Sequence, residues 1–202
     1  LSCEYNGEVI FMRYADDLIV GFEYQREAED YLRKLPGRLA KFGLRLAEEK
    51  SSLVKFNRWE PDDSGTFTFL GFDFYWSRTQ RNPNHKIVKR KTNKKKYRAS
   101  LRAMKDWIQK ARSLPLRVIL ASLRNRLRGY WNYYCVIGNS RMTWKYHREV
   151  TRLIFRWLNR RSQRKSYTWA RFGGLWATQW DIPRPRICEK QVREETGELG
   201  LV

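Results

Sequence analysis

Residues 8–23 read Glu-Val-Ile-Phe-Met-Arg-Tyr-Ala-Asp-Asp-Leu-Ile-Val-Gly-Phe-Glu, and the fold of the first part of the chain turns on them. Glu8 to Tyr14 (EVIFMRY) and Leu18 to Glu23 (LIVGFE) are rich in β-branched and aromatic residues, and only Ala15, Asp16 and Asp17 separate them. The stretch predicts a hairpin with two adjacent carboxylates at its tip. A sequence that needed only a tight turn would place Asn-Gly or Asp-Gly there, and neighbouring carboxylates raise each other's cost of ionisation. A divalent cation removes that repulsion. Hard oxygen ligands suit Mg²⁺, which takes one or two protein carboxylates plus phosphate oxygens. Paired ions about 3.5–4 Å apart can stabilise both the attacking and the leaving oxygen of phosphoryl transfer. On Asp16-Asp17 alone a solvated hairpin tip is the favoured reading, and only the wider context reverses it.

Working outward, Gln25 to Phe42 keeps helical spacing through Ala28, Tyr31, Leu32, Leu35, Leu39 and Phe42, with Gly43 as the stop and Pro36-Gly37 predicting a kink or two shorter helices. Ser52 to Phe56 and Phe67 to Tyr75 read as further strands, and His85 to Lys89 as another element. Beyond residue 90 the period becomes helical over Tyr97 to Ala111, Arg117 to Tyr134 and Arg141 to Arg161. In the last of these Arg141, Lys145, Arg148, Arg152, Arg156 and Arg160 share one face, while Val150, Leu153, Ile154, Trp157 and Leu158 take the other. The expected fold class is α+β: an antiparallel sheet with a helix, then an all-α bundle of three helices.

Charge divides the chain the same way. The 202 residues carry 42 Lys and Arg against 21 Asp and Glu, a formal net charge of +21 with pI near 10.3. Residues 1–77 hold 10 basic and 14 acidic groups, residues 78–165 hold 27 and 2, and residues 166–202 hold 5 and 5. A disordered polycation is excluded by 42% hydrophobic and 15% aromatic residues, despite a mean hydropathy of −0.75. A merely solvated face mixes both signs, so 27 against 2 points to an anionic partner. Lys and Arg interleaved with Tyr97 and Trp107 suit phosphates and unpaired bases. Trp131, Tyr133, Tyr134, Trp144 and Trp157 could stack bases, but helical spacing favours core for Trp131 and Trp157. Cys3, Cys135 and Cys188 are scattered and odd in number, which supports neither a disulfide framework nor a zinc knuckle and fits a reducing compartment. His85 and His147 stand alone and are not metal candidates. No apolar run is long enough to span a membrane, so no membrane partner is expected.

Phe11-Met12-Arg13-Tyr14-Ala15-Asp16-Asp17-Leu18 resembles the Y-A-D-D box of reverse transcriptases, and later segments follow in that family's order. Gly43 to Phe56 (GLRLAEEKSSLVKF) looks like its helix-to-strand block, and Phe67 to Phe74 (FTFLGFDF) like its primer grip. Arg126 to Tyr134 (RLRGYWNYY) and Glu149 to Trp169 (EVTRLIFRWLNRRSQRKSYTW) look like the thumb, or maturase domain X, of group II intron reverse transcriptases. The resemblance covers most of residues 5–190. It implies a partial polymerase palm over 1–77, a basic helical thumb over 78–165 and a C-terminal tail of domain X over 166–202.

Under that resemblance Asp16 is the chief Mg²⁺ ligand, with Mn²⁺ as the alternative ion, and Asp17 its weaker companion. Lys50 protonates the departing pyrophosphate. Phe69, Leu70, Gly71 and Phe72 form the turn that holds the primer end, Leu70 doubling as a core position. Tyr14, Lys89, Arg90, Lys91, Lys94, Lys95, Lys96, Arg98, Arg141, Lys145, Arg148, Arg152, Arg156 and Arg160 contact nucleic acid. The implied partners are intron RNA, an RNA template with a DNA primer, and dNTPs. The family's third metal-binding Asp lies upstream of the hairpin, where nothing before Glu4 can supply it. Together with a start at Leu1 this predicts a fragment that lacks the N-terminal fingers and first palm portion and is inactive alone. No Cys-rich or His-Asn-His segment follows domain X, as in relatives without the endonuclease module. The function implied is copying RNA into DNA and assisting intron splicing and mobility. The alternative is a non-enzymatic splicing cofactor with a vestigial hairpin. The setting expected is the bacterial cytoplasm or nucleoid, or an organellar matrix.

Overall fold

A computed structural model describes residues 5–59, 64–79, 82–161 and 166–187. Cys3, Cys188 and the Glu60-Pro61-Asp62-Asp63 part of the predicted loop lie outside the described residues, as do residues 162–165 and the tail from residue 188. The chain forms two compact units, Leu1–Arg90 and Lys91–Val202.

In the first unit β1 (Val9–Tyr14) and β2 (Asp17–Phe22) pair antiparallel, in register from Val9 opposite Phe22 to Tyr14 opposite Asp17. Helix α1 (Gln25–Ala40) follows, and its Tyr31 ring lies 5.3 Å from Phe22, which in turn meets Tyr5 at 5.3 Å. Of the two forms expected at Pro36-Gly37, two shorter helices do not form: α1 runs through Pro36 as one helix. Pro36 is exposed within about a turn of the helix end, so the Leu32 carbonyl it deprives of a partner can turn to water. Gly43, at φ +69, marks the stop as expected, where the Leu44 amide closes back on the Leu39 carbonyl at 3.0 Å.

A second sheet has the order β3 (Phe67–Phe69), β4 (Phe72–Arg78), β5 (Lys86–Thr92). The single strand expected over Phe67 to Tyr75 is thus a hairpin. The strand expected over Ser52 to Phe56 does not form. There the Lys55 carbonyl accepts one bond from the Gly65 amide at 2.7 Å, and Phe56 packs on Phe67 and Trp76 at 4.9 and 5.5 Å. Apolar packing holds the segment extended without a ladder.

The second unit is built on α2 (Lys94–Ala111), α3 (Leu116–Tyr134) and α4 (Ser140–Asn159), within a turn of the three helices expected. Their inward stripes, including Met104, Ile108, Ile119, Leu123, Leu127, Val150, Ile154 and Leu158, are buried together. Residues 166–187, read as tail from their neutral charge, are part of this core. Helix α5 (Trp169–Gly174) runs into a π-helical turn (Leu175–Gln179) and contributes Phe172, Trp176, Trp180 and Ile182. Two side chains of α3 strap that segment down: Arg124 donates twice to the Trp180 carbonyl (3.0 and 2.9 Å), and Trp131 Nε1 donates to the Pro183 carbonyl at 2.9 Å. At the opposite joint, buried Asn139 accepts from the Thr92 amide at 2.9 Å and donates at 2.8 Å to both Thr92 Oγ1 and the Tyr134 carbonyl.

Candidate functional site

The β1–β2 register leaves Ala15 and Asp16 as a two-residue loop. Ala15 sits at φ +51, the only non-glycine of this hairpin in that region. Positive φ at the first loop position alone is the pattern of a type II′ turn, where glycine is the usual occupant. An alanine there stores strain of order 1–3 kcal/mol, and Arg13 braces it by donating from Nε to the Ala15 carbonyl at 3.0 Å. The sequence reading missed Arg13, whose signal was its place two residues before an Ala that has to turn. Asp16 occupies the loop itself and Asp17 opens β2 opposite Tyr14, so both carboxylates and the 65%-exposed Tyr14 stand at one exposed tip. Neither aspartate has a side-chain partner among the described residues.

As a donor set, two adjacent hard carboxylates with open surroundings fit a magnesium ion that takes its remaining ligands from water and phosphate. Among the described residues no third His, Cys, Asp or Glu joins them. Lys50 ends a short 3-10 turn (Glu48–Lys50) and is exposed, and no side-chain hydrogen bond or ion pair ties it to the hairpin tip.

Phe69 and Phe72 face each other across the β3–β4 ladder, with Leu70 and Gly71 as a two-residue loop at φ +47 and +77. Positive φ at both positions makes a type I′ turn, in which the second glycine is the favoured residue. Leu70 is therefore a half-buried turn residue held in the left-handed region, whereas Phe72 is buried.

In the second unit the described residues carry three carboxylates, Asp106, Glu149 and Asp181. Arg141, Lys145, Arg148, Arg152, Arg156 and Arg160 are all exposed along one side of α4, a cationic row about 28 Å long at 1.5 Å per residue. Three of its members have local partners: Lys145 Nζ lies 5.6 Å from the Tyr97 ring, Arg152 pairs with Glu149 at 3.1 Å, and the Arg160 guanidinium lies 5.3 Å from the Trp157 ring centroid. Helix α2 opens with Lys94, Lys95 and Lys96, all exposed, with no acidic residue in its first turn. Asn93 caps that turn by accepting from the Lys95 and Lys96 amides. Cations at the positive end of a helix are unfavourable by themselves, and an anionic partner offsets the cost. Arg98 is exposed on the same helix. Lys89, by contrast, donates to the Arg78 carbonyl at 3.1 Å, and neither it nor Arg90 is fully exposed. Lys91 is exposed at the end of β5.

The aromatics divide. Trp131 and Trp157 are buried, as their spacing predicted, whereas Tyr133 and Trp144 are about half exposed. Tyr130 and Tyr146 stack at 3.7 Å with rings 7° apart, and burial pushes both hydroxyls well above the usual tyrosine range. His147 is buried among Trp131, Trp144 and Trp176, ring centroids 6.2, 5.6 and 6.0 Å away, with Nε2 unpartnered. Burial, helped by the charge of Arg184, pulls it down to about 4, so it is neutral at pH 7.

Among the described residues no helix is long and apolar enough to cross a membrane. Comparison with known families adds two matches in tandem. The reverse transcriptase (RNA-dependent DNA polymerase) family model matches residues 1–74, which contain the carboxylate hairpin and the type I′ turn. The group II intron maturase-specific domain model matches residues 97–173, which contain most of α2, all of α3 and α4, and most of α5. No curated protein matches the chain. The two matches in tandem, with the carboxylate hairpin in the first stretch and the cationic helices in the second, support a group II intron reverse transcriptase/maturase.

Proposed function

We propose that this chain carries the nucleotidyl-transfer hairpin, the primer-holding turn and the RNA grip of an RNA-directed DNA polymerase that also assists intron splicing and mobility. The observation that carries the reading is the hairpin tip, where a strained Ala15, braced by Arg13, holds two exposed carboxylates with no side-chain partner among the described residues. Asp16, with Asp17 as its weaker companion, would hold Mg²⁺ or Mn²⁺, which when bound supplies Lewis-acid stabilisation of the attacking 3′-oxygen and the leaving pyrophosphate. Tyr14 stands beside them for the incoming dNTP or primer end. Lys50 delivers a proton to the leaving pyrophosphate. The Phe69–Phe72 turn holds the primer strand, where Gly71 lets backbone approach closely. The remaining metal ligand comes from an upstream palm portion with its fingers, which would also cover the apolar face of β1.

Lys94–Lys96, Arg98 and the α4 row bind template–primer and intron RNA through phosphates, with affinity that falls steeply with salt. The setting that goes with this reading is an RNA-containing, reducing compartment: the bacterial cytoplasm or nucleoid, or an organellar matrix. A non-enzymatic splicing cofactor is the second reading, favoured by one observation: the basic unit has its own complete core. Substitution Asp16→Ala in the complete enzyme separates the two. Loss of about 10³-fold or more in dNTP incorporation on a primed RNA, with intron RNA binding unchanged, is the outcome expected. Incorporation that survives the substitution overturns the catalytic role of the hairpin.

A further inference from the structure

The α4 row ends in an arrangement that α4 alone does not make. Arg160, the residue that closes α4, and Arg112, the residue that closes α2, both place their guanidinium carbons over the indole of Trp157, at 5.3 and 5.5 Å from the ring centroid. Arg161 reaches across to the α2–α3 connection and donates to the Leu114 carbonyl at 2.9 Å. All three arginines are exposed, Trp157 beneath them is buried, and no carboxylate pairs with any of the three among the described residues.

Each arginine taken singly has a structural reason, since cations are favoured at helix C-termini and on aromatic faces. Gathering three at one corner has an electrostatic cost that no acidic side chain relieves. The gain is preorganisation. A guanidinium resting on an indole, or tied to a carbonyl, has less rotamer freedom to lose when it binds than a free lysine. The planar fork matches phosphate oxygens in pairs.

We propose that Arg112, Arg160 and Arg161, seated around Trp157, form a preorganised clamp for a phosphodiester of an RNA strand that runs along the α4 row. A strand is favoured over a lone phosphate because exposed cations lead up to the clamp at every third or fourth position from Arg141. The site rests on the RNA-binding reading above and sharpens it, since Arg112 and Arg161 lie outside the row that sequence periodicity marks.

The test uses the full chain and a 20-nucleotide fluorescein-labelled oligoribonucleotide, followed by anisotropy from 50 to 300 mM NaCl. Removing both stacked arginines, R112A/R160A, is expected to weaken binding at least about tenfold at 100 mM NaCl. It is also expected to flatten the log–log salt slope by about 0.7, the contribution of one single-strand phosphate. The charge-matched control R26A/R38A, on the first unit, is expected to change affinity less than twofold. R112K/R160K keeps the charge but loses the planar stack, and is expected to recover the slope without the full affinity. Thermal unfolding of R112Q/R160Q guards against a folding defect: a midpoint near wild type with the same RNA loss supports the clamp. Wild-type binding that R112A/R160A leaves untouched overturns the clamp alone, and so does a loss confined to 5′-phosphorylated RNA, which would assign a strand end instead. A wild-type chain that binds no RNA overturns the RNA-grip reading itself, and the clamp with it.

Discussion

Phe11 and Phe172 are the same residue in opposite circumstances. Phe11 lies in the middle of β1 and is 49% exposed, while Phe172 in α5 is fully buried, with the rings of Phe155, Trp176 and Trp180 each within 5.3 Å. The contrast extends to the units around them. In the first, Ile10, Met12 and Leu18 are also substantially exposed, and α1 buries none of its residues. In the second, three long helices and a strapped C-terminal segment close over a continuous core. A two-stranded hairpin is marginal in water without cover, and an exposed apolar patch marks a surface meant for a partner. One unit gathers its apolar residues into a continuous core; the other leaves an apolar strand face in the open.

The sharpest way to break the contrast is to remove ring volume from each unit. Phe172→Ala is expected to cost about 3–5 kcal/mol in the helical unit, read by urea unfolding monitored through tryptophan fluorescence. A cost under about 1 kcal/mol would mean that the C-terminal segment is not part of the core. Next in size is Asn139→Ala, which orphans the Thr92 amide and should cost on the order of 1–3 kcal/mol in the same measurement.

The acid response comes third. His147 has a folded-state value of about 4, below its ordinary 6.5, so between those values the unfolded chain binds more protons than the folded one. Stability of the helical unit should therefore fall as pH drops through 6.5 and reach its full loss below about 4. His147→Phe should remove most of that slope, and an unchanged slope would assign it to other groups. The smallest effect belongs to Phe11→Thr, expected within about 0.5 kcal/mol of wild type for this chain. A larger loss would show that β1 is already covered in solution.

How much of this could be read from residues alone follows from the range of the forces. Helices α2 to α4 were legible because long 3.6-residue stripes such as Leu120, Leu123 and Leu127 report burial locally. The carboxylate hairpin was legible because two apolar runs flank three residues. The failures share a cause in contacts made elsewhere. Ser52 to Phe56 has strand composition, yet whether a ladder forms depends on a partner, and the Gly65 amide bonds the Lys55 carbonyl outside any ladder. Residues 166–187 looked like a tail because their charges cancel, while the aromatics at 169, 172, 176 and 180 carried the helical period that marks core. Arg112 and Trp157 lie on different helices, and nothing in their spacing predicts that they meet. The left-handed Leu70 was hidden because leucine seldom occupies such a position, and its neighbour Gly71 was the visible half of the signal.

The straps from Arg124 to Trp180 and from Trp131 to Pro183 impose an order of events on synthesis. Helices α2, α3 and α4 leave the ribosome before the residues that seal them, so the groove awaiting Phe172, Trp176 and Trp180 stays open until translation has passed residue 183 and that stretch has cleared the exit tunnel. In that interval the arginine row on α4 is already outside the ribosome. Nascent chains can thus meet RNA by charge before the unit has closed, and the final step of folding is the docking of a short aromatic segment onto helices that are already made.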